Sequence, residues 1–213
     1  MIIPEKIYIY RLTHIENLDY ILTKNKIICP NHPDAEKDYI NIGDKSLIEN
    51  RKEKVINLEP GGTFSDYVAF YFGARSPMLY EIQKGYNGVE KRDPEKLIYL
   101  VSDFTTIKLL NIQYIFTDGH AYNHLSQFFN EEKDLKEIDW KAVNLVKWND
   151  TEEDPDRKRR KQAEFLIHRE LQFSAIIGIA VYNENAKSRV LSKFAEHEQV
   201  FKGQVHVQPK WYY

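Results

Sequence analysis

The stretch YVAFYF at 67–72 constrains this chain more than any other. It is a continuous apolar and aromatic run, with Gly61 and Gly62 shortly before it and Gly73 directly after. Six such residues ended by a glycine read as a strand covered on both faces, and such a strand needs a sheet around it. Further runs can supply that sheet: IYIY at 7–10, LIYLV at 97–101, QYIF at 113–116, EFLIH at 164–168, AIIGIAVY at 175–182 and the alternating QVHVQ at 204–208. The aromatic share is 13%, with 14 Tyr, 11 Phe and 3 Trp. That suits a core built from strands, or a surface that stacks on flat ligands.

Helices are predicted between these runs. Ile15, Leu18, Ile21 and Leu22 recur at helical spacing, with Thr13 as a cap. A short helix is expected at 46–54. Ser76-Pro77 opens another, stopped by Gly85, and Asp103 caps one running to Leu110. Val190, Leu191 and Phe194 mark a helix at 185–197. The residues alone thus give a mixed α/β chain with strands dominating the core. At 213 residues, and ~100–200 per domain, one domain is expected over 1–213. Residues 120–163 stand apart. They carry Glu131, Glu132, Asp134, Glu137, Asp139, Glu152, Glu153 and Asp154, then RKRRK at 157–161. The segment reads as a long loop with one or two helical turns, and so long an excursion in a compact domain is usually functional.

Several classes are excluded. The net charge is −2, so a nucleic-acid surface must be local. One cysteine, Cys29, rules out an internal disulfide framework and a cysteine-based zinc site. The start MIIPEKIYIYRL lacks a signal-peptide layout, and the apolar run at 175–182 is far short of the ~20 residues that span a bilayer. The expectation is a soluble protein of the cytoplasm. No P-loop, GxGxxG, GxSxG or HExxH pattern occurs, and no metal-ligand spacing stands out.

Some constellations can carry chemistry. His14, with Thr13, Glu16 and Asn17, sits at a strand-to-helix turn, where helix N–H groups converge on a ligand amide or hydroxyl; simple capping also explains them. Tyr71 can stack on a heterocycle, while Arg75 and Tyr80 can meet a phosphate or a base; a buried strand and a capped helix account for the same residues. His120 stands at the edge of an Asp-Gly turn, a common place for an exposed histidine. Glu164 opens an apolar strand, where a carboxylate is costly unless paired, used, or turned to water at a strand edge. The run at 157–161 is either a solvated face or a grip on phosphates.

Four blocks, YRLTHIENL at 10–18, YVAFYFGARSPMLY at 67–80, FTDGHA at 116–121 and KQAEFL at 161–166, occur in one order. Together they resemble the DarT family, the DNA ADP-ribosyltransferase toxins of bacterial toxin–antitoxin systems. The resemblance implies an α+β fold, with a split β-sheet core of the ADP-ribosyltransferase type, peripheral helices and a long target-recognition loop. It implies NAD+ as co-substrate and transfer of ADP-ribose to a base in single-stranded DNA, blocking replication. Thymidine is the expected base, with guanosine the choice of a related branch; the expected partner is the macrodomain antitoxin DarG.

By the same resemblance, Glu164 matches the family's catalytic glutamate, Arg51 its catalytic arginine, and His120 a histidine at the start of the target-recognition loop, residues 120–163. A carboxylate suits the oxocarbenium charge that builds when the nicotinamide–ribose bond breaks. His14 matches the histidine that meets NAD+, with Thr13, Ile15, Glu16, Asn17 and Thr23 around it and Tyr71 against nicotinamide. Residues 35–53 would close over NAD+. DNA contacts are expected from Arg75, Met78, Tyr80, Arg92, Arg157, Arg159 and Arg160. A different target, RNA or protein, is the alternative. A non-catalytic binding module is disfavoured, because a pure binder needs no carboxylate at the ribose.

Overall fold

The structure is a computed structural model that describes residues 2–198 and 201–213. Ten strands alternate with six helices among these residues: β1 (Tyr8–His14), α1 (Asn17–Lys24), β2 (Lys26–Ile28), α2 (Lys45–Lys52), β3 (Tyr67–Tyr71), α3 (Pro77–Lys84), β4 (Leu97–Asp103), α4 (Phe104–Leu109), β5 (Tyr114–Thr117), β6 (Phe128–Phe129), α5 (Arg157–Lys161), β7 (Glu164–His168), β8 (Glu170–Gln172), β9 (Gly178–Val181), α6 (Glu184–Glu196) and β10 (Gln204–Val207). Eight strands form one sheet in the order β10-β9-β4-β1-β3-β7-β5-β6, and β2 pairs with β8 separately. All pairs in the large sheet are antiparallel except β10 with β9.

The sheet is split. β1 pairs with β4 along its whole length, from Tyr8 opposite Asp103 to His14 opposite Leu97, and β3 pairs with β7 from Tyr67 to Tyr71. The two halves meet through a single pair, Tyr10 opposite Tyr71. Past that pair the strands diverge, and the carbonyl of Ala69 is met not by a strand N–H but by the Arg11 guanidinium at 2.9 Å. One face of the sheet carries the main core, where Ile9, Val68, Phe70, Ile98, Leu100, Phe165 and Ile167 pack on α1, α4 and α6. The other face carries two smaller clusters, one on each side of the split: Leu12, Leu79, Tyr99 and Ala180 on one, and Tyr67, Ile115 and Leu166 on the other.

Local chemistry sets the helix ends. Ser76 accepts from the Leu79 N–H and Gly85 takes the left-handed conformation, bounding α3 as expected. Asp103 accepts from the Thr106 N–H at α4, and Asp44 caps α2. Thr13 is not a cap. Its backbone stays in β1, opposite Ile98, and Glu16 precedes α1 without a side-chain cap bond. Cross-strand pairing over the full length of β4 outweighs the local capping preference. The strand β3 is fully covered on one face, where Val68 and Phe70 are buried; on the other Tyr67 is buried in the smaller cluster, whereas Ala69 and Tyr71 border the open cleft.

The segment 120–163 is neither bare nor loose. It holds β6, 3-10 turns at Glu132–Glu137 and Ala142–Asn144, and α5. Leu135, Ile138, Trp140 and Val143 anchor it in the main core.

Candidate active site

A cleft of about 710 Å³ opens over the split, between the two smaller clusters. Its walls include Arg11 and Thr13 from β1, Ala69 and Tyr71 from β3, Arg51 from α2, Glu164 from β7 and His120. Register explains the alignment: Glu164 pairs with Tyr71, and Tyr71 with Tyr10, so the carboxylate lies level with the last pair before the split, one strand beyond β3.

Glu164 is 1% exposed. A bare carboxylate there would be costly, and it is not bare. Oε2 accepts from Arg51 Nη2 at 2.8 Å, and Oε1 accepts from the Ala121 backbone N–H at 2.9 Å. A second Arg51 nitrogen stands 3.4 Å from Oε1, and His120 Nε2 lies 4.0 Å from it. The Glu164 N–H donates to Thr117 Oγ1, whose hydroxyl donates to the Gly119 carbonyl, fixing the strand start against the turn before His120. Burial pushes the Glu164 carboxyl up, but the Arg51 charge, His120 and the two donors outweigh it and hold the group below the usual carboxylate range. Arg51 feels the same pair from the other side: burial works against its charge, and Glu164 restores it and more. Its guanidinium rests on the Phe64 ring, 4.7 Å from the centroid. His120 is pulled below its ordinary value, chiefly by burial, and is therefore neutral at pH 7. Burial lifts the Tyr71 phenol, which stays protonated and donates to the Met78 sulfur at 3.7 Å.

The expected ligand residues divide. Thr13 lines the cleft, and its hydroxyl shares a 2.9 Å hydrogen bond with the Tyr39 hydroxyl. Asn17 and His14 are buried outside the lining. Asn17 donates to the Ile40 carbonyl and accepts from the Ile40 N–H, holding the 39–42 segment against β1. His14 Nδ1 accepts from the Glu16 N–H, and burial keeps the ring below its ordinary pKa. Ile15 is wholly in the core, Glu16 pairs with Arg189 and Lys193, and Thr23 is exposed on α1. None of these three reaches the cleft.

The expected DNA contacts divide as well. Met78 is in the wall. Tyr80 lines a neighbouring pocket of about 430 Å³ with Tyr86, Trp148 and Lys158. Arg75 lies over the Tyr213 ring and Arg92 pairs with Glu90; neither lines the cleft. The basic run is mostly spent within the fold. Arg157 pairs with Asp154, Arg159 with Asp118 and Asp156, and Arg160 with Asp139, Asp154 and Asp156. Lys161 is buried, donating to the Ala74 and Val143 carbonyls, and burial pulls its amine down to about 8. Of the acidic residues within 131–154, Asp139 and Asp154 are partners of these arginines. Lys158 alone of the run keeps a loose contact, 3.8 Å from Glu81, and it borders both cavities.

Reading the residues did not single out Arg11, Phe64, Lys158 or the Ala121 amide. A backbone donor leaves no mark in sequence, and Phe64 has no pattern beyond following Gly-Gly-Thr.

A family model described as "ssDNA thymidine ADP-ribosyltransferase, DarT" matches residues 10–213. The chain belongs to the DarT family. A DNA ADP-ribosyl transferase of Escherichia coli O127:H6 is 31% identical over 210 residues, covering 99% of this chain and 95% of the relative. The DarT of Thermus sp. 2.9, solved with ADP-ribosylated single-stranded DNA, superposes with a TM-score of 0.92 at 31% identity, covering 100% of this chain and 99% of that one. The same protein solved with NAD+ gives 0.87 at 30% identity, with complete coverage of both chains. A fusion of DNA ADP-ribosyl transferase with DNA ADP-ribosyl glycohydrolase from Thermosipho africanus is 28% identical over 165 residues, 75% of this chain and 38% of the fusion. The chain thus has the ADP-ribosyltransferase fold of DarT, as the family resemblance implied.

Proposed function

We propose that this chain is an NAD+-dependent mono-ADP-ribosyltransferase that modifies thymidine in single-stranded DNA. The observation that carries the reading is Glu164: a buried carboxylate kept ionised at a cleft built on a split sheet, in a member of the DarT family. In this reading the bond between the ribose C1′ and nicotinamide breaks, and nicotinamide leaves with the electron pair. Glu164 faces the positive charge left on the ribose, a task for which a desolvated carboxylate is well suited. Thymine N1 already carries its own sugar, so N3 is the ring nitrogen that attacks C1′. Its proton passes to His120, which burial keeps neutral and able to accept it. Arg51 holds the carboxylate in place from α2, and Tyr71 supplies an aromatic wall for nicotinamide.

The rest of the assignment follows from the same placement. Residues 1–213 act as one domain. Residues 35–53 with Thr13 form the NAD+ side, backed by Asn17, which holds the 39–42 segment, and by His14 behind it; Ile15, Glu16 and Thr23 have no part in it. Residues 120–163 form the target-recognition side, where Met78, Tyr80 and Lys158 meet the strand, with Arg75, Arg92 and the arginines of α5 giving outer support. The chain works in the cytoplasm as a toxin that blocks replication, opposed by a macrodomain antitoxin of the DarG kind; the transferase–glycohydrolase fusion supports that pairing. Among the described residues no helix is long and apolar enough to cross a membrane.

The test is incubation with labelled NAD+ and oligonucleotides that each lack one base, alone and annealed to complements. Labelling that disappears with thymidine and falls in the duplex is expected, because unstacking a paired base costs a few kcal/mol. Label that stays without thymidine, or enters only RNA or protein, refutes the assignment.

A further inference from the structure

The pocket beside the cleft takes two aromatic walls from distant parts of the chain, Tyr80 from α3 and Trp148 from the target-recognition side. Their rings lie 5.8 Å apart at 74°. Trp148 is buried, yet it belongs to none of the three hydrophobic clusters. Residues 146–149 make no backbone hydrogen bond among the described residues. The indole Nε1 donates to the Tyr213 hydroxyl at 2.6 Å. Tyr213 lines neither cavity and stands behind the pocket. From there it touches each piece that shapes it. Its ring meets that of Tyr80 at 5.0 Å and 76°, and its N–H donates to Gln83 Oε1 at 2.9 Å, also on α3. Its hydroxyl, having accepted from Trp148, donates to the Arg75 carbonyl at 2.8 Å. Arg75 has a φ of +59°, uncommon for a residue other than glycine, directly before the Ser76 cap of α3. Its peptide groups are held by two tyrosines: the N–H donates to the Tyr99 hydroxyl at 3.0 Å, and the carbonyl accepts from Tyr213. Tyr212 shows what a tyrosine that only packs does in the same segment. It is 3% exposed, lies inside the second cluster, and places its hydroxyl on the Leu97 and Ala180 carbonyls.

The geometry points to Tyr213 as a positioning residue for the target strand. The inference rests on the single-stranded DNA reading above and adds to it the residue that holds Trp148 against Tyr80 and fixes the turn into α3. An unpaired base gains from an aromatic face that is already oriented; a face that must be ordered on binding gives back part of that gain as lost side-chain freedom. Trp148 has no cluster to orient it, so the hydroxyl of Tyr213 sets its plane. The same hydroxyl closes the bond that keeps Arg75 left-handed, and through that turn it sets where α3 presents Met78 and Tyr80. Burial lifts the phenol, which stays protonated and able to donate. Tyr213 lies outside the cleft that holds Glu164 and His120, so it acts on the grip of the strand and leaves the chemical step alone.

The experiment compares initial rates of ADP-ribosylation by wild type, Tyr213→Phe, Trp148→Phe and the double variant. The oligonucleotide is varied at saturating NAD+, and then NAD+ at saturating oligonucleotide. Tyr213→Phe keeps the ring against Tyr80 and Arg75 and removes only the hydroxyl. It should raise KM for the oligonucleotide by about threefold to tenfold, the loss of one hydrogen bond's worth of orientation, while kcat and KM for NAD+ stay within about twofold. In the Trp148→Phe background it should add less than half of that effect, because the wall it orients is already altered. An unchanged KM for the oligonucleotide would overturn the inference, as would full additivity with Trp148→Phe. Equal rises in both KM values, or a fold that fails on loss of the hydroxyl, would reduce Tyr213 to a structural clasp and overturn it too. Failure of wild type itself to label single-stranded DNA would sink the DNA reading first, a result distinguishable from a failure at Tyr213 alone.

Discussion

The two flanks of the cleft are held in opposite ways. On one side, α2 buries no residue, and the flank is tied down by a few polar contacts: Arg51 to Glu164, Lys54 to the Tyr122 carbonyl, and Ile40 to Asn17. On the other side, 120–163 is anchored by Trp140 and Val143 in the core, by Lys161 on two carbonyls, and by three arginines on four aspartates. Gly73 passes so close to that flank that a Cβ would lie 2.0 Å from the Val143 carbonyl oxygen. The first flank can open with little loss of buried apolar area; the second cannot. A dinucleotide entering from the loose side and a target base read from the fixed side is the arrangement this difference favours.

The largest expected effect lies where the loose flank meets the sheet. Glu164→Gln should lower transfer by about 10²–10³, with the fold retained. The contrast also predicts a pH effect. The Glu164 carboxyl titrates below its ordinary value, so its contribution to activity and to stability is present above the unfolded-state pKa and is lost as pH falls through the folded one. Arg51→Gln removes the main opposition to burial. The acid limb of the rate profile should then move upward, toward neutral pH. A pH–rate profile identical to wild type would separate Arg51 from the carboxylate.

The middle effect belongs to the fixed flank. Lys161→Met removes both clamps on the Ala74 and Val143 carbonyls and should cost about 1–3 kcal/mol of stability, read as a lowered thermal midpoint. The sign with pH differs from that at Glu164. Burial pulls the amine down to about 8 from its ordinary 10.5, so the folded state disfavours its charge. Its contribution should grow as pH rises from about 8 toward 10.5, and a wild-type-minus-variant stability difference flat across that window would contradict the burial argument.

The two flanks were also unequally legible in sequence. Strand runs, the Ser76 and Asp103 caps and the Gly85 stop are written in neighbouring residues and are found where local chemistry puts them. β2 and β8 escaped notice because three-residue strands such as Lys26–Ile28 and Glu170–Gln172 exist only through each other. The segment 120–163 reads as a charged loop because its stabilising pairs, such as Arg159 with Asp118 and Arg160 with Asp139, join residues whose partnership no spacing announces. Glu164 is conspicuous as a carboxylate opening an apolar strand; its partner Arg51 lies 113 residues away and without the family resemblance reads as an exposed helix cation.

The smallest effect sharpens the comparison most, because it tests whether the fixed flank meets DNA through its arginines or beside them. Each arginine of α5 already faces at least one aspartate, so a phosphate gains little from it without displacing that partner. Lys158 is 43% exposed along its side chain, sits 3.8 Å from Glu81 and borders both the cleft and the pocket of Tyr80, Tyr86 and Trp148. Its Nζ also lies over the Trp148 ring, 5.6 Å from the centroid, which directs the amine toward that pocket. Lys158→Gln should therefore weaken binding of a single-stranded oligonucleotide modestly and evenly across sequences, and should reduce the slope of log affinity against log salt by about one phosphate contact. Arg157→Gln should leave that slope in place and lower the thermal midpoint slightly at most, because it breaks only a solvent-screened surface pair with Asp154. The two variants are compared by fluorescence anisotropy over a salt series. The reverse pattern, with the slope falling for Arg157→Gln and holding for Lys158→Gln, would mean that the aspartates release their arginines to DNA and that the fixed flank is rigid only until the strand arrives.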